Sequence, residues 1–223
     1  MSDCDLCILG IFTLFFFETA AYQYGHAANV VVILMASSAI FTLIFGVILL
    51  QENMSFYSII GTALAVIGIF IISWSGQSSV LLIVNAMAAG LGYSLFSVYV
   101  KKFYLQGGIY LTRLLLLFGL IYLSIPFGLT FHVISFDFKT IVSLIGLAVL
   151  PTILGFFCTT KALMYLSAAK VQVTELSEPI FAMFLAWLFL SEQPTVEFGL
   201  GAVCIITGIA LINELPRMLN SEE

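Results

Sequence analysis

Eight apolar runs, each close to the length that crosses a bilayer and separated only by short polar stretches, leave this chain few ways to fold. A helix needs about 20 mostly apolar residues to span the hydrocarbon core. Measured that way, the runs are residues 4–22, 28–50, 56–74, 80–100, 109–131, 140–163, 171–190 and 198–211. Short links make neighbouring helices antiparallel. Of the 223 residues 62% are hydrophobic and only 9% charged, so a water-soluble core of this length could not hide the apolar surface. The reading is an all-α membrane protein of eight transmembrane helices.

The alternative that also satisfies every backbone group in lipid is a β-barrel, whose strands alternate polar and apolar residues. Unbroken apolar runs at 30–34 and 114–117 exclude it. Ala86, Gly90 and Ser94 recur every four residues, and Gly61, Ala65 and Gly68 follow a similar spacing. Such small residues let helix backbones approach closely in a membrane. The basic residues set the orientation, because cytoplasmic loops hold the excess of Lys and Arg. With both termini in the cytoplasm, Lys101, Lys102, Arg113, Lys161, Lys170 and Arg217 lie inside and only Lys139 outside. A cytoplasmic (inner) membrane protein with both ends inside is therefore expected.

Several functions are disfavoured. A net charge of -5 with 7 basic residues offers no surface for a phosphate backbone, so no nucleic-acid partner is expected. Cys4 and Cys7 form a C-x-x-C, but no second pair or nearby His completes a tetrahedral metal site; they read as small residues opening a helix. Cys158 and Cys204 lie in apolar runs, where a disulfide framework has no purpose. Asp3 and Asp5 stand where a signal peptide would be basic. His26 and His132 fall in outer loops far from any Cys pair, and Asn53-Met54-Ser55, though a glycosylation triplet, falls on the inner side. No metal and no cofactor is expected, and no G-x-x-x-x-G-K-[ST] loop is present to use ATP.

The chain also repeats itself, a sign of transporter architecture. A shift of 140 positions matches Ile40 with Ile180, Phe41 with Phe181, Leu50 with Leu190, Glu52 with Glu192, Gly61 with Gly201 and Gly68 with Gly208. Upstream the shift is 141, pairing Ala21, Tyr24, Ala27, Ala28 and Val30 with Ala162, Tyr165, Ala168, Ala169 and Val171, so one residue is gained or lost between the blocks. The first three runs thus correspond to the sixth, seventh and eighth. Five crossings separate equivalent helices, and an odd number inverts the second copy in the membrane. The fourth and fifth runs have no partner in the first copy. The expected organisation is a first unit of three helices over 1–76, a five-helix unit over 77–214 and a cytoplasmic tail over 215–223.

The pattern A-x-x-Y-x-x-A-A-x-V, followed by Glu178-Pro179-Ile180-Phe181, Leu190-Ser191-Glu192, Gly201 and Thr207-Gly208, resembles the EamA-type members of the drug/metabolite transporter superfamily. The resemblance covers blocks 20–73 and 161–213, and its second copy is the more typical. It implies ten helices in two inverted five-helix repeats around a central cavity, with export or uptake of small metabolites. This chain departs from it in two ways: Ser38-Ala39 stands where the second copy has Glu178-Pro179, and the first repeat is truncated to three helices.

Ionisable groups inside spans cost about 2.5–3.5 kcal/mol on insertion scales and are functional suspects for that reason. Glu175 and Glu178 share a face of the seventh run, and Glu18 lies late in the first. Pro179 cannot donate to the carbonyl of Glu175, which predicts a kink beside two carboxylates. The cluster could take a proton, a cation or a substrate amine. Against this, Glu175 and Glu18 are near helix ends, from which a side chain can bend out to the interface. Asn85, Tyr93, Ser94, Thr159 and Thr160 are weaker candidates, each read as a helix–helix hydrogen bond ahead of a ligand contact. Lys161 and Lys170 read as snorkelling anchors, and the 21 Phe residues as packing and lipid-facing bulk.

The expected function is secondary transport of a small solute, such as an amino acid, a nucleoside-like or an amphipathic compound, by alternating access, with a proton or cation as coupling partner and a homodimer as a further association. No enzymatic activity is expected. The alternatives are an inactive fragment or accessory membrane subunit, and an intramembrane lipid-modifying enzyme, for which no His, Asp or nucleophile cluster is visible at a membrane face.

Overall fold

The computed structural model describes residues 3–25, 27–52, 55–73, 79–129, 137–190 and 195–213, and all its regular structure is helical among them. The elements are α1 (Asp3–Tyr22), α2 (Ala27–Leu50), α3 (Phe56–Ser73), α4 (Val80–Lys102), α5 (Ile109–Leu129), α6 (Phe138–Leu147), a π-helical stretch (Ala148–Gly155), α7 (Phe156–Leu163), α8 (Ala168–Glu175), α9 (Glu178–Leu190) and α10 (Val196–Ile212). They account for the eight apolar runs. Among the described residues, Asn29–Leu50, Val80–Lys102 and Thr140–Leu163 are each long and apolar enough to cross a membrane, and shorter apolar helices stand beside them. His26, His132, the Asn53-Met54 part of the triplet and residues 214–223 lie outside the described residues, as do the side chains of Cys4 and Cys7.

Two runs are not simple α-helices. The sixth changes to π-helix at Ala148–Gly155, around Pro151, whose missing N–H removes one α-helical bond. The seventh divides into α8 and α9, with Leu176 and Ser177 as turn residues. The Leu176 and Ser177 amides bond back to Val173 and Thr174, and Ser177 Oγ also donates to the Thr174 carbonyl at 2.7 Å. Pro179 then occupies the first turn of α9, where the lack of an N–H costs nothing.

Helix starts carry their own caps. Ser79, Ser167 and Thr195 accept from the amides three residues on, at 3.1, 3.3 and 3.2 Å. At the other end, the Lys101 ammonium donates to the carbonyls of Leu163 and Leu166, satisfying acceptors at the end of α7.

Lipid offers no hydrophobic drive for helices to pair, so close backbone packing has to hold the bundle. Glycines occupy three close crossings. Gly10 of α1 faces Gly92 of α4, where a Cβ on Gly10 would lie 2.9 Å from the Gly92 carbonyl oxygen. Gly90 of α4 sits against Leu34, Ser37 and Ser38 of α2. Along α3 and α10, Gly61 meets Gly208 and Gly68 meets Gly201. Two main buried clusters follow: one joins Ile11, Leu14, Leu34 and Phe96; the other joins Val32, Ala39, Ile69, Val173 and Ile205. Large apolar side chains such as Leu120, 68% exposed, and Val203, 64% exposed, point away from the bundle, as lipid-facing residues do.

Candidate functional site

A cavity of about 670 Å³ opens between α1, α2, α4, α7 and the α8–α9 junction. Its size falls within the range of small-molecule sites. The break in the seventh run lies in its wall, and two of its carboxylates flank that break.

Glu175, the last residue of α8, is the best-held group. Its Oε1 accepts from the Tyr93 hydroxyl at 3.0 Å and from the Thr159 hydroxyl at 2.8 Å. Its Oε2 is buried with no hydrogen-bond partner among the described residues. Tyr93 is fixed in turn: its ring lies nearly parallel to that of the fully buried Phe96, centroids 6.3 Å apart, and Phe96 meets Phe156 edge-on. Three helices, α4, α7 and α8, thus converge on one carboxylate oxygen.

Glu18 and Glu178 line the same cavity. Glu18 Oε1 accepts from the Tyr22 hydroxyl one turn along α1 at 2.9 Å, and Glu178 opens α9 beside Ser177. Of the sequence candidates, Glu175, Glu178, Glu18, Tyr93 and Thr159 are therefore brought together. Asn85 is not among the lining: its amide donates to the Leu81 carbonyl of its own helix at 2.7 Å, too far along α4 to reach the cavity. Nor are Ser94 and Thr160. Thr160 accepts from the Gly108 amide at 3.0 Å and returns a bond to the Phe156 carbonyl, a structural clasp between α5 and α7. Lys161 is exposed, with its ammonium 5.9 Å from the Tyr165 ring centroid.

Sequence reasoning missed Gln172, Ser38, Tyr22 and Ser177. Gln172 is buried, accepts from Ser38 of α2 at 2.8 Å and donates to Ser97 of α4 at 2.9 Å. It sits three residues before Glu175 in an apolar run, so its face of the helix was readable. Ser38 was also signalled, being the repeat counterpart of Glu178.

The repeat register runs through the lining. Phe15 and Phe156, Thr19 and Thr160, and Val32 and Val173 are identical at 141 positions, whereas Ser37 and Ser177 are identical at 140. The one-residue difference between the copies thus falls between Val173 and Ser177, at the α8–α9 junction. Removing one residue from a continuous helix would turn everything beyond it by about 100°; an interruption absorbs that rotation. In this register four lining pairs are equivalent: Leu14 with Gly155, Glu18 with Thr159, Val31 with Gln172, and Ser38 with Glu178. The α2 wall is mostly apolar and its counterpart polar. Among the described residues no group of three His, Cys, Asp or Glu side chains is placed to hold a metal ion.

Comparison with known proteins agrees with this architecture. An uncharacterized transporter of Clostridium kluyveri is 27% identical over 197 residues, covering 83% of this chain and 63% of its own length. A probable amino-acid metabolite efflux pump of Escherichia coli K12 is 25% identical over 213 residues, covering 89% of this chain and 71% of its own length. The chain therefore spans roughly two thirds of the relatives it matches. A crystal structure superposes with a TM-score of 0.80 at 16% identity, over 94% of this chain and 76% of that one, a likeness of fold. The EamA-like transporter family matches twice in succession, over residues 5–74 and 79–214. With those two matches taking in nearly all of its length, this chain belongs to the EamA-like transporter family, whose members are membrane transporters.

Proposed function

We propose that this protein is a secondary transporter that moves a small organic solute across the cytoplasmic membrane by alternating access, with both termini in the cytoplasm. The observation that carries the reading is Glu175: a carboxyl group at a helix break inside a membrane bundle, in the lining of a cavity, held by hydroxyls from two other helices with its second oxygen buried and unpartnered. Discontinuous helices at the interface of repeats are where secondary transporters bind substrate and coupling ions.

Inverted units, α1–α3 and the helices after residue 77, are the second part of the proposal. Two features support it. The helices α3 and α10 meet through equivalent residues exchanged, Gly61 on Gly208 and Gly68 on Gly201, the reciprocal contact a two-fold axis produces. The cavity, too, is lined by equivalent pairs from both units. In this scheme the units rock about the cavity, and the α8–α9 junction is the hinge beside the bound solute. A proton on Glu175, taken up or released between the two access states, couples the cycle.

The test is flux into liposomes holding the full chain, with amino acids, nucleosides and amphipathic amines as a panel and an imposed pH gradient. Solute movement that follows the gradient and is lost in Glu175→Gln supports the proposal. No pH-dependent movement across the panel would overturn it.

A further inference from the structure

The charge balance of the cavity narrows the solute. The titratable side chains in the lining are three carboxyl groups, Glu18, Glu175 and Glu178, and two phenols, Tyr22 and Tyr93. Among the described lining residues there is no Lys, Arg or His. The nearby Lys101 is taken up by the carbonyls of Leu163 and Leu166. A solute carrying its own carboxylate would bring a further acidic group into a low-dielectric space already lined by three, with no basic side chain in the lining to receive it.

Two further observations specify the cation. Glu175 Oε2 is buried and unpartnered, while Oε1 is saturated by two hydroxyls. A buried acceptor needs a donor, so the complement is an N–H-bearing ammonium rather than a quaternary one or a bare metal ion. The end of α8 agrees, because helix C-termini favour positive charge. Opposite, Leu14, Val31, Leu34 and Met35 form an apolar wall that takes a hydrocarbon body, not a hydrated ion.

We infer that the cavity binds primary or secondary organic amines with an apolar body and no carboxylate, the ammonium donating to Glu175 Oε2 and the body lying against α1 and α2. This rests on the cavity being the transport site proposed above. It sets the solute apart from zwitterionic amino acids, although one relative is named as an amino-acid metabolite pump.

The test uses the purified full chain in phosphatidylethanolamine–phosphatidylglycerol membranes. Binding is measured by calorimetry, and flux in parallel, with protein-free liposomes correcting for passive entry. The probes are 2-phenylethylamine, phenylalanine amide, phenylalanine and the N,N,N-trimethyl form of phenylethylamine. Phenylethylamine and the amide are expected to bind at least about tenfold more tightly than phenylalanine or the quaternary analogue. Glu175→Gln should lose about tenfold or more for the amine while its thermal melting stays that of the parent, and Glu178→Gln serves as a second carboxyl variant. Phenylalanine bound as tightly as its amide, or amine binding unchanged in both variants, would overturn the inference and leave the transporter reading standing. Selective amine binding without movement of any probe would uphold the inference and remove the transporter reading.

Discussion

Gly61 of α3 and Gly208 of α10 touch backbone to backbone: a Cβ on Gly61 would stand 2.6 Å from the Gly208 carbonyl oxygen and 3.0 Å from the Ile212 amide. Two helical turns further along α3, a Cβ on Gly68 would stand the same 2.6 Å from the Gly201 carbonyl oxygen. In lipid this approach is itself the adhesive, since dispersion and close contact replace hydrophobic drive.

Gly61→Val and Gly68→Val should therefore push α3 and α10 apart. Overpacking of this kind costs about 1–3 kcal/mol. Thermal unfolding of the detergent-solubilised chain should show a lowered midpoint for both. Gly199→Ala on the same α10 is the control: no atom lies within 4 Å of the added carbon, so its midpoint should not fall.

The two hydroxyls on Glu175 should separate from the polar groups outside the cavity. Tyr93→Phe and Thr159→Val each remove one hydrogen bond to the carboxyl group, which costs about 1.5–3 kcal/mol when the acceptor is charged. Solute affinity should shift by about tenfold in each. Asn85→Leu breaks only a bond within α4 and should leave uptake unchanged. An Asn85 variant as impaired as Tyr93→Phe would argue against the site.

Pro179→Ala restores an N–H where the first copy has Ala39, whose helix α2 runs unbroken through that point. The donor regained should let α8 and α9 draw into one helix. The expected result is equal or higher thermal stability with strongly reduced flux. Parent-like flux in a stable Pro179→Ala variant would show that the break is not a working hinge.

Glu52 provides a pH test outside the spans. It follows the end of α2, where burial pushes its carboxyl above the ordinary value of 4.5 and Lys101 pulls the other way. A raised value in the folded state means the fold favours the protonated form. The stability it contributes is full below the unfolded value and is lost as pH rises through the folded one. The parent should therefore lose more melting temperature than Glu52→Gln between about pH 4 and pH 7. Equal slopes would show that the carboxyl is not perturbed.

The helical runs, the small-residue faces and the acidic suspects were legible because lipid allows so few solutions: a long apolar run must be a helix, and a charge within it must have a partner or a purpose. The repeat set Ser38 against Glu178 in register, but only the packing of α2 on α8 and α9 put both in the lining of one cavity. Asn85 shows the limit. A polar residue in a span looks the same in sequence whether it faces a cavity or bonds the carbonyl four residues back.

Periodicity and composition by themselves determined that this chain is a membrane bundle carrying a duplicated pattern, because those depend on solvent and chain length alone. Tertiary structure decided that Tyr93, Thr159 and Glu175 meet at one oxygen, that Gln172 ties α2 to α4 instead of facing the solute alone, and that the other Glu175 oxygen is buried without a partner. Each of these is a matter of helix rotation. A single residue of register turns a side chain by about 100°, and only the packing of neighbouring helices sets that angle.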